Sequence, residues 1–163
     1  MKLSVVQLGS LLLVGSLLLL ASGAAAQRVC GHVGVAVPLV TVGHGRTDVR
    51  KDTAIAVPLG IGIKLTDALV FDFETAVFSP ISPVGTTRLF VSPGLVYIWG
   101  PVATGLRTAF QIGEIANIGL VPLVNLPLVD FGEAKWFVEA AFPTFYKSEH
   151  VSLTAVIHSG VGF

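Results

Sequence analysis

Hydrophobic residues alternate with small or polar ones along much of this chain, most clearly between residues 53 and 65. The odd positions there are Thr53, Ile55, Val57, Leu59, Ile61, Ile63 and Leu65, and the even positions are Ala54, Ala56, Pro58, Gly60, Gly62 and Lys64. Successive side chains of a β-strand point to opposite faces, so the pattern predicts a strand with one aliphatic face and one small or charged face.

The same alternation recurs in six further segments, and an eighth segment, 118–129, is apolar on both faces and is assigned by its length and position. The eight predicted strands are 29–42, 53–65, 69–79, 88–99, 102–113, 118–129, 136–146 and 153–163. Their lengths suit a tilted strand that crosses a bilayer, which needs about 9–11 residues. An even number of strands is also what single-chain bacterial barrels contain.

The predicted connections form two alternating sets. Tight turns at 65–68, 99–101 and 131–134 suit the periplasmic side of such a barrel, and 43–52, 79–87, 114–117 and 146–151 would be extracellular loops. Six prolines fall inside predicted strands, where each removes a hydrogen-bond donor, so we expect some of them at bulges or strand ends. These are Pro38, Pro58, Pro93, Pro122, Pro127 and Pro143.

The composition indicates a surface that does not face water. Hydrophobic residues make up 53% of the chain and charged residues 12%, whereas ordinary globular domains are about a quarter charged. After residue 26 no apolar run is long enough for a transmembrane helix, and in lipid a sheet satisfies its backbone only by closing on itself. We therefore predict an all-β fold, an eight-stranded antiparallel up-and-down transmembrane β-barrel. Equal numbers of acidic and basic residues, ten each, disfavour nucleic acid as a partner.

The N-terminus has the three parts of a secretory signal: Lys2, an apolar run over residues 8–20, and three alanines that end at Ala26 before Gln27. We predict a helical signal peptide over 1–26, cleaved between Ala26 and Gln27, and an outer-membrane barrel over 27–163.

Cys30 is the single cysteine and has no internal disulfide partner. A lipid anchor on Cys30 is disfavoured because the residues before it are not small and apolar, so we interpret it as a small inward-pointing residue.

Signal peptide, eight alternating strands and a terminal aromatic residue together resemble the small outer-membrane barrels of the OmpA/OmpX type from Gram-negative bacteria. Such families end in a strand with a C-terminal Phe and apolar residues at alternate positions, which Phe163, Val161, Ile157 and Leu153 match and Ser159 interrupts. The resemblance implies an outer-membrane location, a porin-like or structural role, and recognition of the strand ending in Phe163 by the barrel assembly machinery.

The strand pattern places six charged residues inside the barrel, three of each sign, where they need partners. The predicted lumen network comprises Lys64, Asp72, Glu74, Arg88, Arg107, Glu139 and His158. We expect Lys64 to pair with Asp72, and Arg107 with Glu74 or Glu139. Either a salt-bridged plug or a narrow ion path would use these residues.

A girdle of aromatic residues near the predicted periplasmic turns would face the lipid headgroups. Its members are Phe71, Tyr97, Trp99, Trp136 and Phe163.

Two other functions remain open. A lipid-modifying enzyme could use His158 and Ser159, but neighbours on one strand point to opposite faces and no Gly-x-Ser-x-Gly elbow is present. A soluble barrel that holds an apolar ligand would need its aliphatic face inside. His32, His44, His150 and His158 lack metal-ligand spacing, and they are interpreted as loop or lumen residues. We predict no catalysis, no metal or other cofactor and no defined small-molecule ligand, with outer-membrane lipid as the main partner.

Overall fold

The fold was analysed in a computed structural model that describes residues 29–43, 46–49, 53–112, 117–147 and 150–163. The predicted signal peptide, 1–26, and its cleavage site between Ala26 and Gln27 lie outside the described residues. Within the described part of the chain, no helix has the length and apolar character needed to cross a membrane. The strands are β1 (Val29–Gly43), β2 (Arg46–Val49), β3 (Thr53–Lys64), β4 (Leu69–Ser82), β5 (Arg88–Ile98), β6 (Ala103–Ile112), β7 (Ile118–Asp130), β8 (Lys135–Ala141), β9 (Thr144–Lys147) and β10 (His150–Gly162).

These ten strands occupy eight positions around a closed antiparallel barrel. Both β2 and β3 pair with β1, and both β8 and β9 lie between β7 and β10, so each of these two pairs forms one interrupted barrel strand. Pairing of β1 with β10, from His32 opposite Gly162 to Gly43 opposite Ser152, closes the sheet. The predicted all-β, eight-stranded up-and-down barrel is confirmed.

The eight predicted segments match the eight barrel positions, although several strand ends differ from the prediction. The loop predicted at 43–52 contains β2, whose four residues pair with the end of β1. The next loop begins later than predicted because β4 continues to Ser82, which lies opposite Thr53. The connections at 65–68, 99–102 and 131–134 lie at one end of the barrel, called here the turn end, and the opposite end is called the loop end.

Four of the six prolines that the sequence pattern places inside strands lie where a ladder is irregular. The β1–β10 register shifts next to Pro38, and the β7–β8 register shifts next to Pro127. The β1–β3 pairing is interrupted opposite Pro58, and the β5–β6 pairing is interrupted at Pro93. The missing N–H of each proline therefore coincides with a gap or bulge in one of its two ladders.

The other two prolines mark the break between β8 and β9. The partner of β7 changes there from β8 at Leu123 to β9 at Leu120, and Pro122 lies between the two. The carbonyl of Pro122 accepts a hydrogen bond from Phe142 N–H at 2.9 Å, and that of Pro143 accepts one from Thr154 N–H at 2.9 Å. The backbone thus keeps hydrogen bonds across the interruption.

The side chains are distributed as the alternation predicts, with aliphatic groups outside and small or charged groups inside. In β3, Ala54, Ala56 and Gly60 are buried, whereas Leu59 and Ile61 are 52% and 56% exposed. In the part of the chain that the structure describes, five charged or titratable residues are buried: Asp72, Glu74, Arg107, Glu139 and His158. This orientation argues against the soluble barrel with an aliphatic interior.

Candidate functional site

The centre of the lumen is organised around Arg107 of β6, whose side chain is 3% exposed. Its Nε donates to Asp72 Oδ2 at 2.6 Å, and its Nη1 lies 3.2 Å from Glu74 Oε2 and 3.1 Å from Glu139 Oε1. Three carboxylates from β4 and β8 thus surround one guanidinium. Such a fork of N–H donors can bind several carboxylates at once, which a lysine ammonium does less precisely.

Two histidines flank this group of charges. Nε2 of His32 lies 3.0 Å from Glu74 Oε2, and Nδ1 of His158 lies 3.6 Å from Glu139 Oε1. The amide of Asn125 donates to Glu139 Oε2 at 3.2 Å. The ring of Phe137 packs edge-on against both histidines, with centroid distances of 5.9 Å to His32 and 4.9 Å to His158. We call these residues, with Arg107, Asp72 and Glu74, the lumen cluster.

The lumen cluster is a poor metal centre as it stands. Glu74, Glu139 and His158 offer ligand atoms that lie within 4.8 Å of one another. However, the same Nη1 of Arg107 contacts both carboxylates, at 3.2 and 3.1 Å, so the guanidinium lies between them where a metal ion would have to bind. Among the described residues, Nε2 of His158 is the one buried side-chain nitrogen or oxygen without a hydrogen-bond partner.

The structure brings together five of the seven residues predicted for the lumen network, namely Asp72, Glu74, Arg107, Glu139 and His158. Arg107 contacts both Glu74 and Glu139, which were predicted as alternatives. Lys64 lies at the turn end of β3 opposite Val70, and Arg88 is exposed at the loop end of β5 opposite Phe78. Neither of these two belongs to the cluster.

The expected pairing of Lys64 with Asp72 is not observed. Asp72 lies opposite Gly62 on one side and Gly94 on the other, and its carboxylate binds Arg107. His32 and Asn125 also belong to the lumen cluster and were not among the residues predicted for the network. His32 occupies an inward-facing position of the first strand, so its place in the lumen could have been predicted from the alternation. The inward parity of Asn125 was hidden because the segment 118–129 is apolar on both faces.

The half of the lumen nearer the loop end contains a cavity of about 550 Å³. Glu74, Arg107, Glu139 and His158 form its floor, together with Ser92, which lies opposite Glu74. Its walls are mainly apolar and include small residues as well as aromatic rings: Ala36, Ala56, Ala109, Phe78, Phe90 and Phe145. A volume of this size lies within the usual range of small-molecule sites, about 300–1,000 Å³.

The five predicted girdle residues are on the outer face near the turn end, and each is at least 36% exposed. They are Phe71, Tyr97, Trp99, Trp136 and Phe163. The indole N–H of Trp99 donates to Thr104 Oγ1 and that of Trp136 to Ser159 Oγ, both at 2.8 Å. Ser159, which interrupts the apolar pattern of the last strand, is therefore the hydrogen-bond partner of a tryptophan.

His158 and Ser159 face opposite sides of β10. His158 is 2% exposed and faces the lumen, whereas the Ser159 hydroxyl binds Trp136 on the outer face and donates to the Phe137 carbonyl at 3.3 Å. A serine nucleophile needs a base within hydrogen-bond reach, and His158 is on the other side of the sheet.

Comparisons with known proteins agree with this architecture at the level of the fold. No protein-family model and no curated protein sequence matches the chain. Among solved structures, the barrel is similar to the crystal structure of Neisserial surface protein A (NspA), with 13% sequence identity and a TM-score of 0.58 over 82% of this chain and 95% of that chain. The resemblance to small outer-membrane barrels is thereby confirmed for the fold: the chain forms a closed, eight-stranded antiparallel barrel of that type.

Proposed function

We propose that this protein is an integral outer-membrane barrel without catalytic activity, in which the lumen cluster closes the channel and stabilises the barrel. The observation that carries the proposal is the outer surface. The outward positions in the middle of β3 are aliphatic, those in the middle of β6 are Leu106, Thr108 and Phe110, and none of them is charged. A closed sheet with such an outer surface suits hydrocarbon rather than water.

Membrane fractionation combined with gel mobility tests the location. The protein expressed from its full chain is expected in the outer-membrane fraction, to resist extraction by alkaline carbonate, and to migrate differently before and after boiling. Recovery in the soluble periplasmic fraction would contradict the proposal. Detection of a shortened N-terminus that begins at Gln27 would at the same time test the predicted signal cleavage.

Closure of the channel rests on the contacts of the lumen cluster. The side chains of Arg107 and Glu139 are 3% and 4% exposed. Arg107 Nη1 lies 3.1 Å from Glu139 Oε1, and this ion pair joins β6 to β8 within the lumen. Phe137 fills the space beside them and is 5% exposed. Small barrels of eight strands have interiors barely wide enough for their own side chains, so such a layer leaves little room for ions.

Planar-bilayer recordings distinguish a plug from an ion path. The wild-type barrel is expected to give no stable conductance steps. The double variant Arg107→Ser/Glu139→Ser removes one charge of each sign and empties the centre, so it should conduct. The matched control Lys135→Ser/Asp130→Ser removes an exposed ion pair of 3.2 Å at a turn and should stay silent. Stable conductance in the wild type would favour the narrow pore.

The lipid-modifying alternative is tested in the same cells. We propose no catalysis because His158 and Ser159 are on opposite faces of β10. Loss of the protein should leave the acyl-chain composition of outer-membrane lipids unchanged in mass spectrometry. A change that is restored by the wild-type chain but not by Ser159→Ala would overturn this part of the proposal.

We propose that the barrel assembly machinery recognises the strand that ends in Phe163. Its backbone is already used in the barrel, since Phe163 N–H donates to Gly31 O at 2.9 Å and Phe163 O accepts from Gly31 N–H at 2.7 Å, but its ring is 63% exposed. Phe163→Ala should therefore slow assembly in cells while the purified variant folds into vesicles at nearly the wild-type rate. Equal slowing in both settings would indicate a purely structural role.

A further inference from the structure

The charges that line the cavity are not balanced at its floor. Asp72, Glu74 and Glu139 are opposed by one guanidinium, that of Arg107, so the carboxylates outnumber the guanidinium by two, and His32 and His158 are the neighbouring groups able to carry further positive charge. Lys64 lies at the turn end and Arg88 lines the cavity nearer the loop end, and among the described residues neither forms a salt bridge with these carboxylates. Buried carboxylates without counter-charge are costly, so this excess favours an additional cation.

Glu74 is the most open charged side chain of the floor, with 12% exposure against 3% for Arg107 and 4% for Glu139. Glu74 and Glu139 both line the cavity, and Ser92 adds a hydroxyl on the strand opposite Glu74. Arg107 also lines the floor, but its Nε and Nη1 are directed to carboxylates at 2.6–3.2 Å. An anionic ligand would therefore approach the carboxylates as closely as the guanidinium, whereas a cation would complement them.

The walls above the floor select for an apolar body. Phe78, Phe90 and Phe145 form a continuous aromatic side. The ring centroid of Phe90 lies 6.2 Å from that of Phe78 and 5.4 Å from that of Phe145. Ala36, Ala109 and Ala141 face them from other strands and leave the space that larger side chains would fill. Pockets that combine apolar walls with a few polar groups at one end are typical of sites for small organic molecules.

We infer that the cavity between the lumen cluster and the loop end is a binding site for a small amphiphilic cation, with its ammonium group at Glu74 and its apolar body against the phenylalanines. A ligand site is a function beyond the structural role proposed above. This proposal depends on the barrel fold but not on whether the channel is closed. It reverses the expectation of no defined small-molecule ligand.

Protonation of the histidines is the competing way to balance the floor. His32 on β1 faces Asp72 and Glu74 of β4 and the Arg107 cation of β6, and His158 on β10 faces Glu139 of β8. Two imidazolium groups would supply the charge that a bound cation brings. Binding should therefore be measured at pH 8, where this competition is weakest.

Three probes of similar shape separate charge from hydrophobicity: 2-phenylethylammonium, neutral 2-phenylethanol and anionic 3-phenylpropanoate. They are titrated into the isotope-labelled barrel in detergent micelles, and backbone amide shifts are followed by NMR. Inward-facing Ser92 and Ala109 report on the cavity, and outward-facing Leu106 and Val124 report on probe dissolved in the micelle. We expect saturable shifts at the first pair only, with the ammonium binding at least tenfold more tightly than the alcohol and the anion most weakly.

Two variants test whether Glu74 causes the preference for the ammonium probe. Glu74→Gln should reduce the tenfold preference for the ammonium to less than threefold, whereas Asp130→Asn at the exposed turn should leave it intact. If Glu74→Gln does not fold, as judged by its heat-dependent gel mobility, Ala76→Leu takes its place, because Ala76 lines the cavity and the added bulk should weaken all probes. Equal binding of ammonium and alcohol, or shifts only at Leu106 and Val124, would overturn the inference while the gel still reports a folded barrel.

Discussion

Large polar side chains of the lumen lie over glycines on neighbouring strands. His32 is directly opposite Gly60, Arg107 is directly opposite Gly94, and the ring of His158 occupies the space where a side chain at Gly34 would begin. At the level of the lumen cluster the barrel has little spare volume, so a bulky group on one strand requires a minimal one beside it. Glycines on the inward face therefore have a packing role that strand propensity alone does not explain.

The first prediction concerns Gly94→Ala. A Cβ at Gly94 would overlap the carbonyl of Leu106 and the Cα and Cγ of Arg107, so backbone as well as side chain must move. We expect a loss of about 1–3 kcal/mol in the free energy of unfolding, measured by urea titration in lipid vesicles.

Gly162→Ala is the matched control, because a Cβ there would meet its nearest atoms at 3.6 and 3.9 Å, an ordinary contact distance. Its effect should stay within about 0.5 kcal/mol. Equal effects at the two positions would mean that strand propensity, and not packing against Arg107, decides the cost.

The second prediction concerns the counter-ion itself. Arg107→Met leaves three buried carboxylates without their guanidinium, and breaking a buried ion pair in this way costs about 3–5 kcal/mol. The loss should shrink as the pH falls, because protonated carboxyl groups need no counter-ion. Unfolding in urea at pH 8 and pH 4 measures both effects.

Lys135→Met provides the comparison for Arg107→Met. Lys135 pairs with Asp130 at 3.2 Å, and both side chains are more than half exposed, so its loss should cost about 0–1 kcal/mol. A penalty for Arg107→Met as small as this, or one that grows in acid, would show that the cluster contributes little to stability.

The partners within the lumen cluster could not be derived from the sequence, although most of its members could. Alternation within a strand fixes which side chains face inward, and this placed Asp72, Glu74, Arg107 and Glu139 inside. Contacts across the lumen depend on how far neighbouring strands are staggered, which alternation does not encode. Asp72 therefore binds Arg107, 35 residues away, rather than Lys64, the nearest cation in the sequence across the first turn.

At the scale of the strand, prolines and ladder gaps occur together. Pro93 lies on the outer face of β5 where the pairing with β6 is interrupted between Val91 and Gly94, and the hydroxyl of Thr108 donates to its carbonyl at 3.1 Å. That carbonyl is thus satisfied without a regular ladder. In contrast, Val91 two residues earlier is paired on both sides, with Thr75 of β4 and Phe110 of β6.

The third prediction moves the proline by two residues, to another outward position. Pro93→Val should change the free energy of unfolding by less than about 1 kcal/mol, because the ladder is already open there. Val91→Pro/Pro93→Val should lose about 2 kcal/mol or more, since a paired N–H disappears and its acceptor has no water nearby. Urea unfolding in vesicles compares the two, and similar losses would contradict the explanation of the gap.

Strands with one aliphatic face were predictable from the sequence, and short or two-sided ones were less so. β2 was missed because Arg46–Val49 is four residues long and carries no apolar alternation. The segment that became β7 is apolar on both faces because its inward residues, Val121 and Leu123, pack with Ala109 and Ala141 as the apolar side of the lumen. Hydrophobic pattern alone cannot separate such an inner face from one that meets lipid.

For the whole molecule, the distribution of residues is reversed relative to a water-soluble domain. The buried interior holds Arg107 and three carboxylates, whereas aliphatic groups such as Leu59, Ile61 and Leu106 are each more than half exposed. Water would penalise this arrangement, and hydrocarbon would favour it. The stability of the barrel should accordingly depend on its surroundings more than on the size of its apolar core.

The fourth prediction uses two leucines of equal exposure at different depths. Leu59 lies in the middle of β3 and is 52% exposed, and Leu65 lies in the tight turn that follows and is 51% exposed. In water, arginine at either position would have a similar small effect. In a bilayer, Leu59→Arg should cost about 2–4 kcal/mol because the charge lies near the midplane, whereas Leu65→Arg near the interface should cost about 0–1 kcal/mol. Urea unfolding from vesicles measures the difference, and equal costs would place the outer face of β3 in water.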